Sequence, residues 1–364
     1  MTGVQTCALP ILTMADRYWV GGSGTWNSSN TANWSAATPV TITSASRSGN
    51  TLTTTGSPAL VVGMTVWYNV DQYTGTFTSA GTITGGSGNT WTTSGSGTIS
   101  SQQMYAATIG ASVPTSSDNA RFGAYAGSQL STVTVSGSNS CLSFFHSGYI
   151  EFGGSGSLSV SSSFNMNVAP ASNTFNVPLT FSGSTTGRSF NTNFVTYSDV
   201  TIDASGGAIT VQTDLTCNVL TLTAGGLTIA NGVEVVVASF NSSNSNVRSL
   251  TFGTGNCQVT GSGASWNCAN STNLTVSYVP GSTVMYFTAS SGVDFYGGGK
   301  SWPYILNSLT GSGTTSSTNV LTIQDGGNTF YAVSVGANSG KSRGIRSEEH
   351  TSELQSLRHL VCRL

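Results

Sequence analysis

From about residue 111 onward the chain alternates. "STVTVSG" (131–137), "SLSVSS" (157–162), "AITVQTDL" (208–215), "VLTLTAGG" (219–226), "VEVVVASF" (233–240), "NLTVSYV" (273–279) and "VLTIQDGG" (320–327) share one pattern. Leu, Ile or Val stands at every second position, with Thr or Ser between. A period of two is that of a strand with one buried face. Such runs arrive roughly every 8–12 residues, set apart by Gly, Asn and Ser, which is the rhythm of a sandwich, a barrel or a solenoid. No helical period is present. No linker and no change of composition interrupts 111–345. A solenoid can run on at that length, because each coil covers the apolar face of its neighbour. The expectation is an all-β chain built as an irregular β-solenoid, or β-helix, over 109–345. A string of β-sandwiches is the alternative.

The start of the chain has a different pattern. "RYWVGGSGTWNSSNTANWS" (17–35) gathers Tyr18, Trp19, Trp26 and Trp34. The end of a solenoid presents an apolar cross-section that needs a cap. Trp can bury a large area there, and Asn27, Asn30 and Asn33 suit tight turns. Residues 14–36 are therefore read as an N-terminal aromatic cap, with a sugar-stacking platform as the functional alternative.

Charge changes the picture at the ends. Of eleven Lys/Arg and thirteen Asp/Glu, three of each fall in 346–364. The remainder is far below the roughly 25% charged residues of ordinary soluble domains. Both ends, "MTGVQTCALPI" (1–11) and "RSEEHTSELQSLRHLVCRL" (346–364), resemble conceptual translations of synthetic adapters used in DNA sequencing. The resemblance implies that 1–13 and 346–364 are not native, that Met14 is the start, and that the natural C-terminus is missing. Starting at Met14, "MADRYWVGG" has no secretory signal pattern. So sparse a charge offers no electrostatic footprint for nucleic acid or anionic membrane. No apolar run approaches the roughly 20 residues of a membrane span. Stacked Ser, Thr and Asn can satisfy one another where stacked like charges would repel.

Candidate chemistry is thin. "GANSGKS" (336–342) has one residue too few between its glycines for a phosphate-binding loop. Cys141, Cys217, Cys257 and Cys268 show no CxxC spacing, and His146 is the lone histidine before the C-terminal segment, so no metal ligand set is expected. Cys217 fits an inward strand position. Cys257 and Cys268 could pair, although a chain made without a signal favours reduced thiols. "GGSGSLS" and "GGSGNTW" lack the Asp of a calcium-binding repeat. Glycan cleavage would need two carboxylates about 5–10 Å apart. The candidates are Asp199 with Asp203, Asp203 with Asp214, and Asp294 near Asp325 or Glu234. Asp199 and Asp203 would share a strand face about 13 Å apart, too far for the pair. No GxSxG elbow is backed by a suitable histidine. No cofactor and no enzymatic activity are expected.

"RYWVGGSGTWNSSNTANWS" with "GASVPTSSDNARF" (110–122), "SSNSNVRSLTFGTGNCQVTGSGASWN" (242–267) and "FYGGGKSWPYILNSLTGSG" (295–313) resemble a group of phage and phage-like Gly/Ser/Thr-rich β-solenoid proteins, regarded as tail-fibre or virion surface components. The "GTW…NW…VP…DN" layout is also similar to the start of passenger repeats in bacterial autotransporter adhesins. In those relatives "NWS" and "GASVP" lie close together, whereas some seventy residues intervene here. Residues 37–108 are therefore read as an inserted small β domain, and its "GMTVWYNV" (63–70), "GTFTSAGTITGGSGNTWTTSGSGTISS" (75–101) and "MYAAT" (104–108) resemble a small β module common in phage fibres. Its Trp67, Tyr68, Tyr73 and Trp91 form either its own core or a face for stacking on glycans; surface insertions often carry recognition. The resemblance implies a non-enzymatic virion attachment or structural protein that contacts a host-surface glycan or protein receptor and other virion proteins, with a homotrimer as one assembly. The alternatives are a bacterial surface adhesin or autotransporter-like passenger and, behind it, a capsule depolymerase.

Overall fold

The structure, a computed structural model, describes residues 14–70, 76–127, 131–170, 172–309, 320–336 and 344–347. It is an all-β chain in which parallel strands stack into a β-solenoid of about nine turns, with a small closed barrel inserted near the start. Each full coil visits three faces in the same order. The first face stacks Ala15–Trp19, Asp118–Phe122, Phe144–His146, Phe164–Met166 and Arg188–Asn191, and runs on to Leu274–Ser277. The second runs from Gly24–Trp26 through Thr132–Val135 and Cys257–Val259 to Tyr304–Asn307 and Val333–Val335. The third runs from Ser138–Cys141 to Val293–Tyr296, Val320–Gln324 and Gly344–Ser347. Thr196–Val211 and Leu215–Ile229 are long enough to serve all three faces in turn. The coils are irregular: one step takes 18 residues, from Ile209 to Leu227, and another 29, from Trp266 to Phe295.

The alternation explains this architecture. Every second side chain of each strand points inward and meets its equivalent one coil away. Along Thr216–Ile229 the apolar positions Cys217, Leu220, Leu222, Leu227 and Ile229 are buried. One continuous core runs from Trp19 to Leu321. Its aromatic rungs stack: Phe144 lies on Phe164 at 4.4 Å and 4°, and Trp266 sits between Phe240 (4.3 Å) and Phe295 (6.1 Å). Such a core is one body, not a string of sandwiches.

The aromatic cap is present. Trp19, Trp26 and Trp34 are fully buried and meet edge to face, with centroids 5.1 and 5.3 Å apart for Trp34 against Trp19 and Trp26. Trp34–Ser35 turns back antiparallel on the first strand, so all three indoles are used for packing rather than display. The asparagines make the turns: Asn27 Oδ1 accepts the Asn30 amide (2.8 Å), and Asn33 Nδ2 donates to the Val20 carbonyl (2.8 Å).

The barrel closes through Val40–Ser48, Thr51–Thr54, Thr90–Thr93, Phe77–Ser87, Thr65–Asn69 and Ile99–Ala107, in that spatial order and all antiparallel. It has its own core, including Ile42, Leu52, Val66, Ile83, Trp91 and Met104. Its two connections to the solenoid come together, since the Ala111 amide donates to the Trp34 carbonyl at 3.0 Å.

Three buried arginines hold loops by their backbone carbonyls. Arg248 donates to the carbonyls of Ser242, Asn246, Asn270 and Thr272 and to the Ser242 hydroxyl, at 2.5–2.8 Å. Arg188 bonds the Ser161, Ser182 and Ala208 carbonyls, and Arg47 does the same inside the barrel with Ala80, Ser96 and Gly97. A guanidinium suits this role because its donors fan out in a fixed plane.

Candidate functional site

The structure divides the four aromatics of the insert. Trp91 is 7% exposed, packs in the barrel core and donates its indole N–H to the Gly88 carbonyl (3.2 Å). Trp67 stacks on Phe77 at 6.1 Å and 5°, and its ring covers Gly21 of the solenoid. Gly21 has a φ of +95°, and a Cβ there would lie 2.8 Å from the Trp67 ring, so this joint requires glycine on both grounds. Tyr68 is half-buried against the barrel core. Tyr73 lies outside the described residues. Trp67 and Trp91 are thus packing residues, and the set does not form a common outward face.

Outward positions of the solenoid make ladders one coil apart. On the first face Ser189, Thr210, Thr228, Thr251 and Ser277 share a column. On the third face Ser159, Thr180, Thr201 and Thr221 lead on to Asn241 and Asn267. The second face begins the same way, with Thr174, Thr196 and Thr216. It then changes character: the same column continues through Val236, Gln258, Tyr286 and Leu306, beside Val284 and Tyr304. These apolar side chains are half-buried and uncharged.

The corner joining the first face to the second is the most distinctive surface. Tyr149 (52% exposed), Phe194 (63%) and Tyr331 (54%) are the exposed aromatic side chains of the described residues, and all three lie on this corner. They occupy the turns 147–150, 192–195 and 331–332. Val279, in the turn 278–283, joins them. The barrel rests on the same corner at its N-terminal end, where Trp67 and Phe77 cover Gly21 and Gly22. One edge of the solenoid thus holds the base of the insert and, spaced along it, three exposed aromatics, of which Tyr331 lies beside the apolar part of the second face.

The acidic residues have other duties. Asp199 accepts Asn218 Nδ2 (3.1 Å); Asp214 accepts the Glu234 backbone amide (2.8 Å); Asp294 accepts Gln324 Nε2 (3.4 Å). Asp203 is exposed, and the register shift after Ile202 falls on the neighbouring strand, where Thr223 is left unmatched, so the alternation that carries Asp199 and Asp203 runs on unbroken. Asp325 takes a left-handed turn at φ +66°. Among the described residues no group of three or more His, Cys, Asp or Glu is placed to hold a metal. Cys141, Cys217, Cys257 and Cys268 are free and buried, so Cys257 and Cys268 do not pair. Burial pushes the thiols of Cys217, Cys257 and Cys268 up to about 12, which leaves them as inert core groups. His146 is fully buried; its Nδ1–H donates to the Val168 carbonyl (2.8 Å), and desolvation lowers its pKa to about 4. Of the sequence "GANSGKS", residues 337–342 lie outside the described residues, as do 1–13 and 348–364.

No protein-family model matches the chain, and neither a curated protein nor a solved structure matches it. No helix of the described residues is long and apolar enough to cross a membrane.

Proposed function

We propose that the chain is a non-enzymatic attachment or structural protein of a virion, a tail-fibre-like β-solenoid that contacts host-surface glycans along the corner between its first and second faces. The observation that carries this reading is the gathering of every exposed aromatic side chain of the described residues on one edge. Aromatic rings offer apolar faces to the C–H faces of sugars, and the neighbouring amides and hydroxyls suit sugar hydroxyls. The edge is shallow, so single contacts are weak; many copies on one particle supply avidity.

The test is attachment of bead-displayed chain to host cells before and after enzymatic stripping of surface glycans. Stripping is expected to abolish attachment, and Tyr331→Ala to weaken it. Attachment that survives stripping would overturn the reading. If the same surface belongs to a bacterial adhesin, the glycan dependence remains and the gene's neighbourhood separates the two origins.

A further inference from the structure

The turn at 192–195 contains a choice that folding alone does not explain. The Val195 amide donates to the Thr192 carbonyl (3.1 Å), and the two central residues, Asn193 and Phe194, have φ of +48° and +60°. This is a type I′ turn, whose second central position favours glycine. A phenylalanine in the left-handed region is strained. Here the ring recovers little by burial, because it is 63% exposed. The backbone of the turn is held, by Asn173 Nδ2 on the Phe194 carbonyl (3.4 Å) and by Asn191 Oδ1 and Thr213 Oγ1 on the Asn193 amide (3.3 and 3.2 Å). Those bonds would hold any residue there, and strain spent on keeping an exposed ring at this position points to a function.

The surroundings indicate which one. Tyr149 stands on the same edge two coils earlier, as the registers Phe145–Asn165–Asn191 and Glu151–Thr132 place it. Two strand spacings separate the rings by about 10 Å along the axis, a span comparable to a disaccharide. Around them, among the described residues, the side-chain amides of Asn167, Asn193 and Gln212 have no partner within the chain. The two nearby carboxylates are occupied: Glu151 accepts the Ser172 amide and hydroxyl, and Asp214 accepts the Glu234 amide. The edge turns 147–150, 192–195 and 212–214 contain no lysine or arginine, so a polyanion would find no counter-charge there.

We infer that Tyr149 and Phe194 form a binding site for an uncharged saccharide chain lying parallel to the solenoid axis. One pyranose stacks on each ring, and the amides of Asn167, Asn193 and Gln212 bond its hydroxyls. This site rests on the glycan-contact reading and specifies its ligand class. Phe194 is displayed at the expense of local stability, because the turn presents it farther from the sheet than a strand position could.

The experiment uses the full chain and five neutral β-linked hexasaccharides: cello-, chito-, laminari-, manno- and xylohexaose. At least one is expected to bind. Phe194→Gly supplies the residue the turn prefers, so it should melt at a higher temperature than the parent while losing about tenfold or more in affinity. Phe194→Tyr should keep the affinity, and Tyr149→Ala should lower it as Phe194→Gly does. Failure of the parent chain to bind any of the five, or undiminished binding by Phe194→Gly, overturns this site. If bead attachment to cells remains glycan-dependent in either case, only the site is lost and the broader reading stands. If attachment survives glycan stripping, both fall.

Discussion

Two buried side chains show how single residues limit this fold. His146 is held neutral by desolvation, with a pKa near 4 against an ordinary value of about 6.5. The unfolded chain therefore binds a proton that the folded chain refuses. The sign follows: His146 costs nothing above about pH 6.5, and its penalty grows as pH falls, reaching its full size below about 4. That size is about 3 kcal/mol. Urea unfolding at pH 7 and pH 4.5 should show the parent losing stability, and His146→Leu should lose less over the same interval. Arg248 presents the opposite case. Its guanidinium satisfies four carbonyls and a hydroxyl drawn from two successive coils. Arg248→Met keeps the bulk and strands those acceptors, so a loss of about 3 kcal/mol or more is expected in chemical denaturation. The Lys variant should recover only part of it, since an ammonium cannot fan its donors in one plane.

At the scale of elements, the strands and the asparagine turns of the cap were readable, and the outward turns of the coils were not. "VLTLTAGG" and "AITVQTDL" announce their buried positions by alternation alone, and Leu220, Leu222, Ile209 and Val211 are all inside. The three tryptophans of the cap follow from the need to close an apolar end. Turn geometry is a different matter. Tyr149, Phe194 and Tyr331 stand singly among Gly, Asn and Ser, far apart in the chain. Only the coil register brings them to one edge, and coils of 18 to 30 residues hide that period. Trp67 and Trp91 of the insert fit either its own core or a stacking face by sequence, and packing decides between the two: Trp91 is in the barrel core and Trp67 stacks on Phe77 over Gly21. The shift in register after Ile202 had no sequence signal either, because its extra residue, Thr223, sits inside the alternating "VLTLTAGG" of the next coil. The barrel's joined ends make a further prediction. Replacing 37–108 by a short Gly/Ser link across the Trp34–Ala111 contact should leave the solenoid's β circular dichroism intact. The same excision uncovers Gly21 and should lower the melting temperature only modestly. Loss of all cooperative folding would show that the barrel is required by the solenoid.

The whole molecule is a stack with almost no charge. The ion pairs among the described residues, Arg17–Asp118 at 3.7 Å and Arg121–Asp16 at 2.8 Å, both lie in the first coils. Cohesion elsewhere comes from apolar burial, backbone ladders and buried arginines that bond uncharged carbonyls out of reach of solvent ions, and recognition as proposed comes from ring stacking and amides. None of these is screened by salt. Raising ionic strength from about 0.05 to 0.5 M should leave both the melting temperature and the cell attachment nearly unchanged, whereas electrostatic binding would fall steeply over that range. A strong salt dependence of attachment would assign contact to something other than ring stacking and amides on this edge.

The direction of the backbone bonds has a mechanical consequence. They run from coil to coil, along the axis, while the chain itself runs around it. A pull lengthwise on the two ends would part the rungs in succession, like peeling tape. A sideways tug at the aromatic edge instead spreads over a whole circuit of covalent backbone and the rungs that grip it from above and below. A particle tethered through that flank would hold best when dragged across its tether, as it is when fluid shears it along a cell surface.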